Sequence, residues 1–456
     1  MVSDSSHQTF FTRQVQRLLD RIYGQSTVKD SLLDRAINYF ENEAFKASTD
    51  TLTDNEKRLQ KLECNERHGS LSAICFEIIQ LSEGETFAES NRKSAQLLGT
   101  IQLLNATEGK LVATQNEKSK PLYKAILTLR LLDHLIINDQ VVEPRIVKYL
   151  AGVTGNEYKD SSGMDEETQQ RFIQQIKMPL VMAALLQDIG NYHPDAQTIL
   201  FGTEGKLDPF RTLETAQRKE LLQINFRETI AYLTQGLGRP TFVGNTKEER
   251  DQFYLDENEK QQFIRLLLKS SVNPKNSIGN VLKVPQIYTS IILSTKASYN
   301  YKLLPQVYQV LNKNAELGAC SAGVVDSLYQ ITGMFPQGFG VVYMPQGEFG
   351  EKGDCYEYAI VNGLYPENPK EPVCRMTTRK LTFIGFGHDI IIKQGSNLYF
   401  PNTAKNLATL SKERLNEILE LLSSNSNERQ QLDLLPRCWH AKEFFSVKVN
   451  QKLWNK

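Results

Sequence analysis

Apolar residues recur along the first third of the chain at the spacing of a helix. Val15, Leu18, Leu19 and Ile22 stand at i, i+3, i+4 and i+7, one face of a helical surface. Leu33, Ala36, Ile37 and Phe40 repeat the pattern after Gly24. A polar stretch at 48–56 interrupts it, and the runs 73–81 and 90–104 predict two more helices. Nothing in this third alternates like a strand. A helical scaffold or interaction domain over 1–115 is expected, with the charged run 108–120 as its boundary.

The segment 122–137 is strongly apolar and predicts a buried helix. Asn, Asp, Ser and Gly crowd 155–167, which reads as an exposed loop. Further helices are expected at 169–187, 213–235, 257–270, 285–293, 305–314 and 322–332, forming a helical domain over 121–337. From Gly338 the texture changes. Short β-type runs at 340–344, 356–361, 373–376, 381–384 and 389–393 are separated by Gly, Pro and Asn, as in a small antiparallel sheet. An amphipathic helix at 411–422 carries Leu415, Ile418, Leu419 and Leu422 on one face, and 444–449 reads as a closing strand. The fold class expected is mainly α, with a β-rich extension over 338–456.

Composition narrows the function classes. The 53 basic and 53 acidic residues balance, so the basic excess of a dedicated nucleic-acid or anionic-membrane binder is missing. The cysteines show neither C-x-x-C pairs nor zinc-finger spacing, as expected of thiols in a reducing compartment. The start of the chain lacks the pattern of a secretory signal, and no apolar run is long enough for a membrane span. A soluble cytoplasmic protein is the expectation. There is no Gly-x-Ser-x-Gly elbow and no phosphate-binding P-loop.

The most informative stretch runs from Met182 to Pro194, an apolar helix entering a polar turn at Asp188. Its Leu185-Leu186-Gln187-Asp188-Ile189-Gly190-Asn191 resembles the Leu-Leu-His-Asp-Ile-Gly-Lys signature of the HD phosphohydrolase superfamily. Gln187 stands where that family has its metal-binding His, and Asn191 where it has a basic residue. Two further landmarks follow in order. Gln235-Gly236-Leu237-Gly238-Arg239-Pro240 resembles the Asp-Gly-x-Gly-Tyr-Pro segment of the HD-GYP branch, and 331–338 resembles the end of its domain.

The resemblance implies an HD-type helical domain and a place in bacterial cyclic-di-GMP signalling. It also implies two or three metal ions, which His and carboxylate ligands hold so that a bridging water becomes a nucleophile. Position by position, those ligands are lost. The early His falls nearest Tyr123, the His-His-Glu falls near Ile230, Ala231 and Tyr232, and no acid occurs in 285–301. Of the family's ligand set only Asp188 remains.

The other metal-capable candidates are His193, with Asp195, and the Asp133-His134 dipeptide. For His193 a hydrogen-bonded loop role is expected. For Asp188 pairing with a base or with backbone N–H groups is expected, and for Gly190 a turn that favours glycine. Arg239, Gln187 and Asn191 are the candidate ligand or partner contacts. The expectation is a catalytically inactive HD-GYP-like regulator, without a cofactor, acting on a signalling protein such as a diguanylate cyclase-type domain. Two alternatives remain: a phosphohydrolase holding Mn, Fe or Zn in an unorthodox site, and a cyclic-dinucleotide sensor that does not cleave.

Overall fold

The computed structural model describes residues 7–24, 30–42, 53–345, 355–380, 382–407, 412–422 and 436–455. The fold is mainly α with a small antiparallel sheet towards the C-terminal end, as expected. Helix α1 (Phe10–Tyr23) begins at Thr9, whose hydroxyl accepts the Thr12 N–H, and buries Val15, Leu18, Leu19 and Ile22. Helices α2 (Leu32–Asn42), α3 (Asp54–Ser82) and α4 (Phe87–Leu104) follow. Helix α3 is buried from Arg67 onward, through Leu71, Ile74, Cys75 and Ile78. Its exposed first half, opened by a Thr53/Glu56 capping box, carries no apolar stripe.

Helix α5 (Val112–Ile137) is the spine of the molecule, and every residue from Leu122 to Ile136 is buried. The segment expected as a domain boundary therefore holds the first turns of this helix, which runs on through Pro121. Helices α6 (Pro144–Leu150), α7 (Gly155–Asp160) and α8 (Glu166–Phe172) lead into a π-helical turn, Ile173–Lys177. Helix α7 lies inside the stretch expected as a loop. Helix α9 (Met178–Leu186) is buried on all sides and ends in the 3-10 turn Ile189–Tyr192. Then come α10 (Pro194–Phe201), α11 (Thr215–Ala231), a second π turn at Tyr232–Gly236, α12 (Lys247–Val272), α13 (Asn280–Ile292), α14 (Val307–Glu316) and α15 (Ala322–Thr332).

Strands β1 (Gly340–Tyr343), β2 (Glu357–Val361), β3 (Val373–Met376) and β6 (Asp389–Ile391) form one antiparallel sheet in that order. The register sets Val341 opposite Ala359 and Cys374 opposite Ile390. Strands β4 (Thr378–Arg379) and β5 (Thr382–Phe383) pair separately. Of the run expected at 381–384, Leu381 lies outside the described residues. Helices α16 (Pro401–Leu407) and α17 (Lys412–Leu422) precede α18 (Lys442–Ser446). Ile418 of α17 is buried; the side chains of Leu415, Leu419 and Leu422 lie outside the described set.

The closing strand expected at 444–449 is instead α18 and a 3-10 turn. Adjacent Phe444 and Phe445 are both buried, against Trp439 and Trp454 respectively. A strand sends neighbouring side chains to opposite faces, whereas a helical turn separates two neighbours without doing so.

One apolar cluster runs from Val15 through Leu71, Tyr123 and Leu180 to Val341 and Cys374, so the N-terminal helices and one face of the sheet share a core with the central helices. A second cluster joins α4 to the sheet and the C-terminal turns through Leu103, Ile360, Trp439 and Trp454. The chain ends meet where the Thr9 N–H donates to Gln451 Oε1 at 2.8 Å. Among the described residues no helix is long and apolar enough to cross a membrane.

Gly190 sits where the 3-10 turn presses on α11. A Cβ there would lie 2.2 Å from the Asn225 carbonyl oxygen. Backbone cannot yield as a flexible side chain can, so Gly190→Ala is expected to cost about 1–3 kcal/mol in urea unfolding. Gly69→Ala, with nothing within 4 Å of the added Cβ, is expected to be neutral or to stabilise by up to ~1 kcal/mol.

Candidate functional site

Asp188 lies between α9 and the 3-10 turn, at the end of a helix that is buried throughout. Its two carboxylate oxygens face two different helices. Lys124 of α5 donates from Nζ to Oδ2 at 2.7 Å, and Gln286 of α13 donates from Nε2 to Oδ1 at 2.9 Å. Lys124 is almost wholly buried, so the ion pair closes the inner side of the carboxylate while its outer side borders a cavity. Burial alone would raise the Asp188 carboxyl. Lys124, by charge and hydrogen bond, and then Gln286 outweigh it, and the group stays below the usual carboxylate range.

The cavity has a volume of about 360 Å³. Buried Leu33, Leu71, Leu185, Leu186 and Tyr232 form much of its wall. Lys120, Lys283 and Arg218 stand towards solvent, and Glu117 pairs with Lys120 at 2.7 Å. Lys283 is half-buried. Burial lowers its pKa, Asp188 partly opposes the shift, and Arg218 and Lys124 add to it.

The residues around Asp188 do not fit a transition-metal centre. Such a metal needs several acceptor atoms converging on one point. Here both carboxylate oxygens already accept from nitrogen donors, one of them a cation. Among the described residues no three His, Cys, Asp or Glu side chains come together in a way that could hold an ion.

The other sequence candidates are dispersed. Gln187 turns away from the cavity, and its amide donates to Ser271 Oγ at 3.3 Å. Asn191 lines the cavity. His193 is the N-cap of α10, its Nδ1 accepting the Asp195 N–H at 3.2 Å, and its ring meets Phe40 edge-on. Tyr123, the position nearest the family's early His, points into the core, and its neighbour Lys124 is the residue that reaches Asp188. Gly190 does not hold the left-handed backbone in which glycine is favoured; it is required by the close approach of α11. Gly238 does, with φ +57°.

Arg239 is exposed and donates to Asn258 Oδ1 at 3.1 Å. It borders a second cavity of about 360 Å³ lined also by His68, Glu257 and Lys260. Burial lowers the His68 pKa, and Glu257, 3.7 Å from its Nε2, opposes that shift.

Asp133 and His134 take separate roles. His134 stacks on Tyr365 with ring centres 5.7 Å apart. Asp133 belongs to a buried ionic network that sequence reasoning missed. Arg130, fully buried on α5, pairs with Glu83 and with Asp133, the latter at 2.8 Å. Lys177, from the π turn before α9, reaches Glu83 at 2.9 Å and Asp133 at 3.2 Å, and the Tyr158 hydroxyl donates to Asp133 at 2.6 Å. The signal for these residues was present: Lys124 and Arg130 interrupt an otherwise apolar run, and a cation on a buried face needs a partner.

Comparison with protein-family models, with curated proteins and with solved structures finds no match to this chain.

The network makes stability pH-dependent at its acid end. Burial alone would raise the Glu83 carboxyl, but Arg130 and Lys177 outweigh it and hold it down at about 2, against an ordinary 4.5. A depressed carboxylate contributes fully above its unfolded pKa and loses that contribution as pH falls through the folded one. Between pH 4.5 and 2 the wild type is expected to lose on the order of 3 kcal/mol through this group. Glu83→Gln is expected to be about 3–5 kcal/mol less stable near neutrality, because two buried cations lose a partner, and to show a flatter acid limb in urea unfolding across pH.

Proposed function

We propose that this chain is a non-hydrolytic regulatory module of the HD-GYP type, acting through its ligand and partner surfaces. The pairing of Asp188 with Lys124 and Gln286 carries the reading. The Asp188-Ile189-Gly190 frame at the end of a buried helix is the layout that the HD resemblance implies. The surroundings support a closed carboxylate instead of a metal ligand, since an ammonium stands against it.

A lysine contributes a fixed positive charge. It does not supply the open coordination position through which a metal turns water into hydroxide near neutral pH. The partner in this reading is another signalling protein, such as a diguanylate cyclase-type domain. Exposed Arg239, on the loop after the second π turn, is available to an acidic surface on it.

The test is elemental analysis of untagged protein purified without chelator, paired with a cyclic-di-GMP hydrolysis assay in Mn²⁺. The expected outcome is metal well below one ion per chain and no hydrolysis above the protein-free control. Stoichiometric Mn, Fe or Zn with metal-dependent turnover would overturn the reading.

A further inference from the structure

Neutralising Asp188 leaves the cavity above it with charge to spare. Four cationic side chains and two acidic ones line it. Asp188 is matched by Lys124 and Glu117 by Lys120. Lys283 and Arg218 are then left without a carboxylate in salt-bridge range among the described residues, and the nearest partner of Lys283 is the Gln286 amide oxygen at 3.5 Å.

A second, independent feature lies in the same wall. The Thr289 hydroxyl oxygen is buried, in a residue 2% exposed, and finds no hydrogen-bond partner. Buried polar atoms are rarely left so, and Thr289 is one of the residues that line the cavity. The depressed pKa of Lys283 agrees, since a half-buried ammonium with no carboxylate in salt-bridge range gains from an incoming anion.

The rest of the wall decides the body of that anion. It is chiefly aliphatic, and its three buried or half-buried tyrosines are occupied by their own neighbours. Tyr232 packs on Tyr39 and Phe40, and Tyr192 on Tyr23. A cyclic dinucleotide would present base edges and phosphates along its length and would need polar partners throughout. The volume, about 360 Å³, is at the lower end of the ~300–1,000 Å³ typical of ligand pockets.

We propose that this cavity binds an anionic amphiphile, with a phosphate or carboxylate head against Lys283 and Arg218 and an aliphatic body along Leu33, Leu71 and Leu185. The proposal deepens the non-hydrolytic reading and rests on it, because Asp188 can tolerate an anion nearby only while Lys124 neutralises it. Phosphate and carboxylate heads share the chemistry that two unpaired cations select, and the probes separate them.

The experiment is isothermal titration of the full chain with decyl phosphate, decanoate, decanol, inorganic phosphate and cyclic-di-GMP. Metal content is measured on the same sample. Decyl phosphate or decanoate, or both, is expected to bind with one site per chain, and the stronger of the two names the head. Decanol and inorganic phosphate are expected to bind at least about tenfold more weakly, since each lacks one half of the recognition. Lys283→Met and Arg218→Ala are each expected to weaken binding about tenfold. Arg218 is exposed, so its variant stands as the test should Lys283→Met fail to fold.

Decanol binding as tightly as the anions, or no loss in the Arg218 variant, would overturn the head assignment. Inorganic phosphate binding as tightly as decyl phosphate would overturn the aliphatic wall, and cyclic-di-GMP displacing decyl phosphate at lower concentration would replace the ligand class. Absence of amphiphile binding in a metal-free sample defeats this inference alone. Stoichiometric metal with hydrolysis defeats the non-hydrolytic reading, whatever the titration shows.

Discussion

A lysine ammonium on a fully buried stretch of helix must find a counter-charge inside the protein, and much of the site follows from how this one does. Lys124, almost wholly buried, sits among Leu122, Ala125, Ile126 and Leu127 on α5. Desolvating such a charge costs several kcal/mol unless a paired and hydrogen-bonded partner offsets it. Asp188 is that partner, and Gln286 engages its other oxygen. One carboxylate thereby ties α5, the end of α9 and α13 at a single point. Further along α5, Arg130 imposes the same demand and is met by Glu83 and Asp133, with Lys177 brought in by the π turn. The two buried cations engage α9 at opposite ends, Asp188 after it and Lys177 before it. A slide of α5 along α9 would break both at once, so these pairs are suited to fixing register more than to adding net stability.

Hydropathy exposed the parts of the fold whose buried positions are apolar. The apolar faces of the helices of the first third, the buried runs of α5 and α9, and the main strands were legible for that reason, whereas the polar first half of α3 was not. Nor was the start of α5. Its inward positions are Val112, Asn116 and Ser119, a helical spacing written mostly in small polar residues. These are satisfied by each other and by the backbone: Ser119 donates to Asn105, Asn105 to Asn116, and Asn116 to the Ser294 carbonyl. A polar buried face looks like a linker to any reading that equates burial with hydrophobicity. Helix α7 was hidden in another way. Its composition is that of a loop, yet Thr154 and Glu157 form a capping box, a signal of spacing that the Gly- and Ser-rich context obscured.

At the site, the motif located Asp188 but not what surrounds it. Tyr123 stands nearest the early His that the resemblance implies when positions are counted along the sequence, whereas a helix counts angle. Neighbouring residues diverge by about 100° on a helix, so Tyr123 enters the core while Lys124 faces the carboxylate. Lys283 and Arg218 come from helices far apart in sequence and meet only through tertiary packing, so no local pattern announced them. His193 looked chemical because it follows Asp188 by five residues, and His134 because it completes an Asp-His dipeptide. Their surroundings are local instead, a helix cap for one and a ring stack for the other. Gly190 shows the same limit: its presence was legible and its reason was not, since the constraint lies on α11.

Under the proposed reading, a covalently attached ammonium in place of a bound metal changes the chemistry of the pocket more than its electrostatics. A metal ion attracts an anionic ligand and also activates water; a lysine does only the first. Metal binding also competes with chelators and with protons on its ligands, whereas a buried lysine is held by the fold itself. A pocket of this kind would keep its attraction for anions under conditions that would strip a metal centre, and the lysine itself would activate no water. Under the non-hydrolytic reading the outward cations, Lys283 and Arg218, are therefore where selection between ligands resides. Lys124 is removed from that role because its charge is already committed to Asp188.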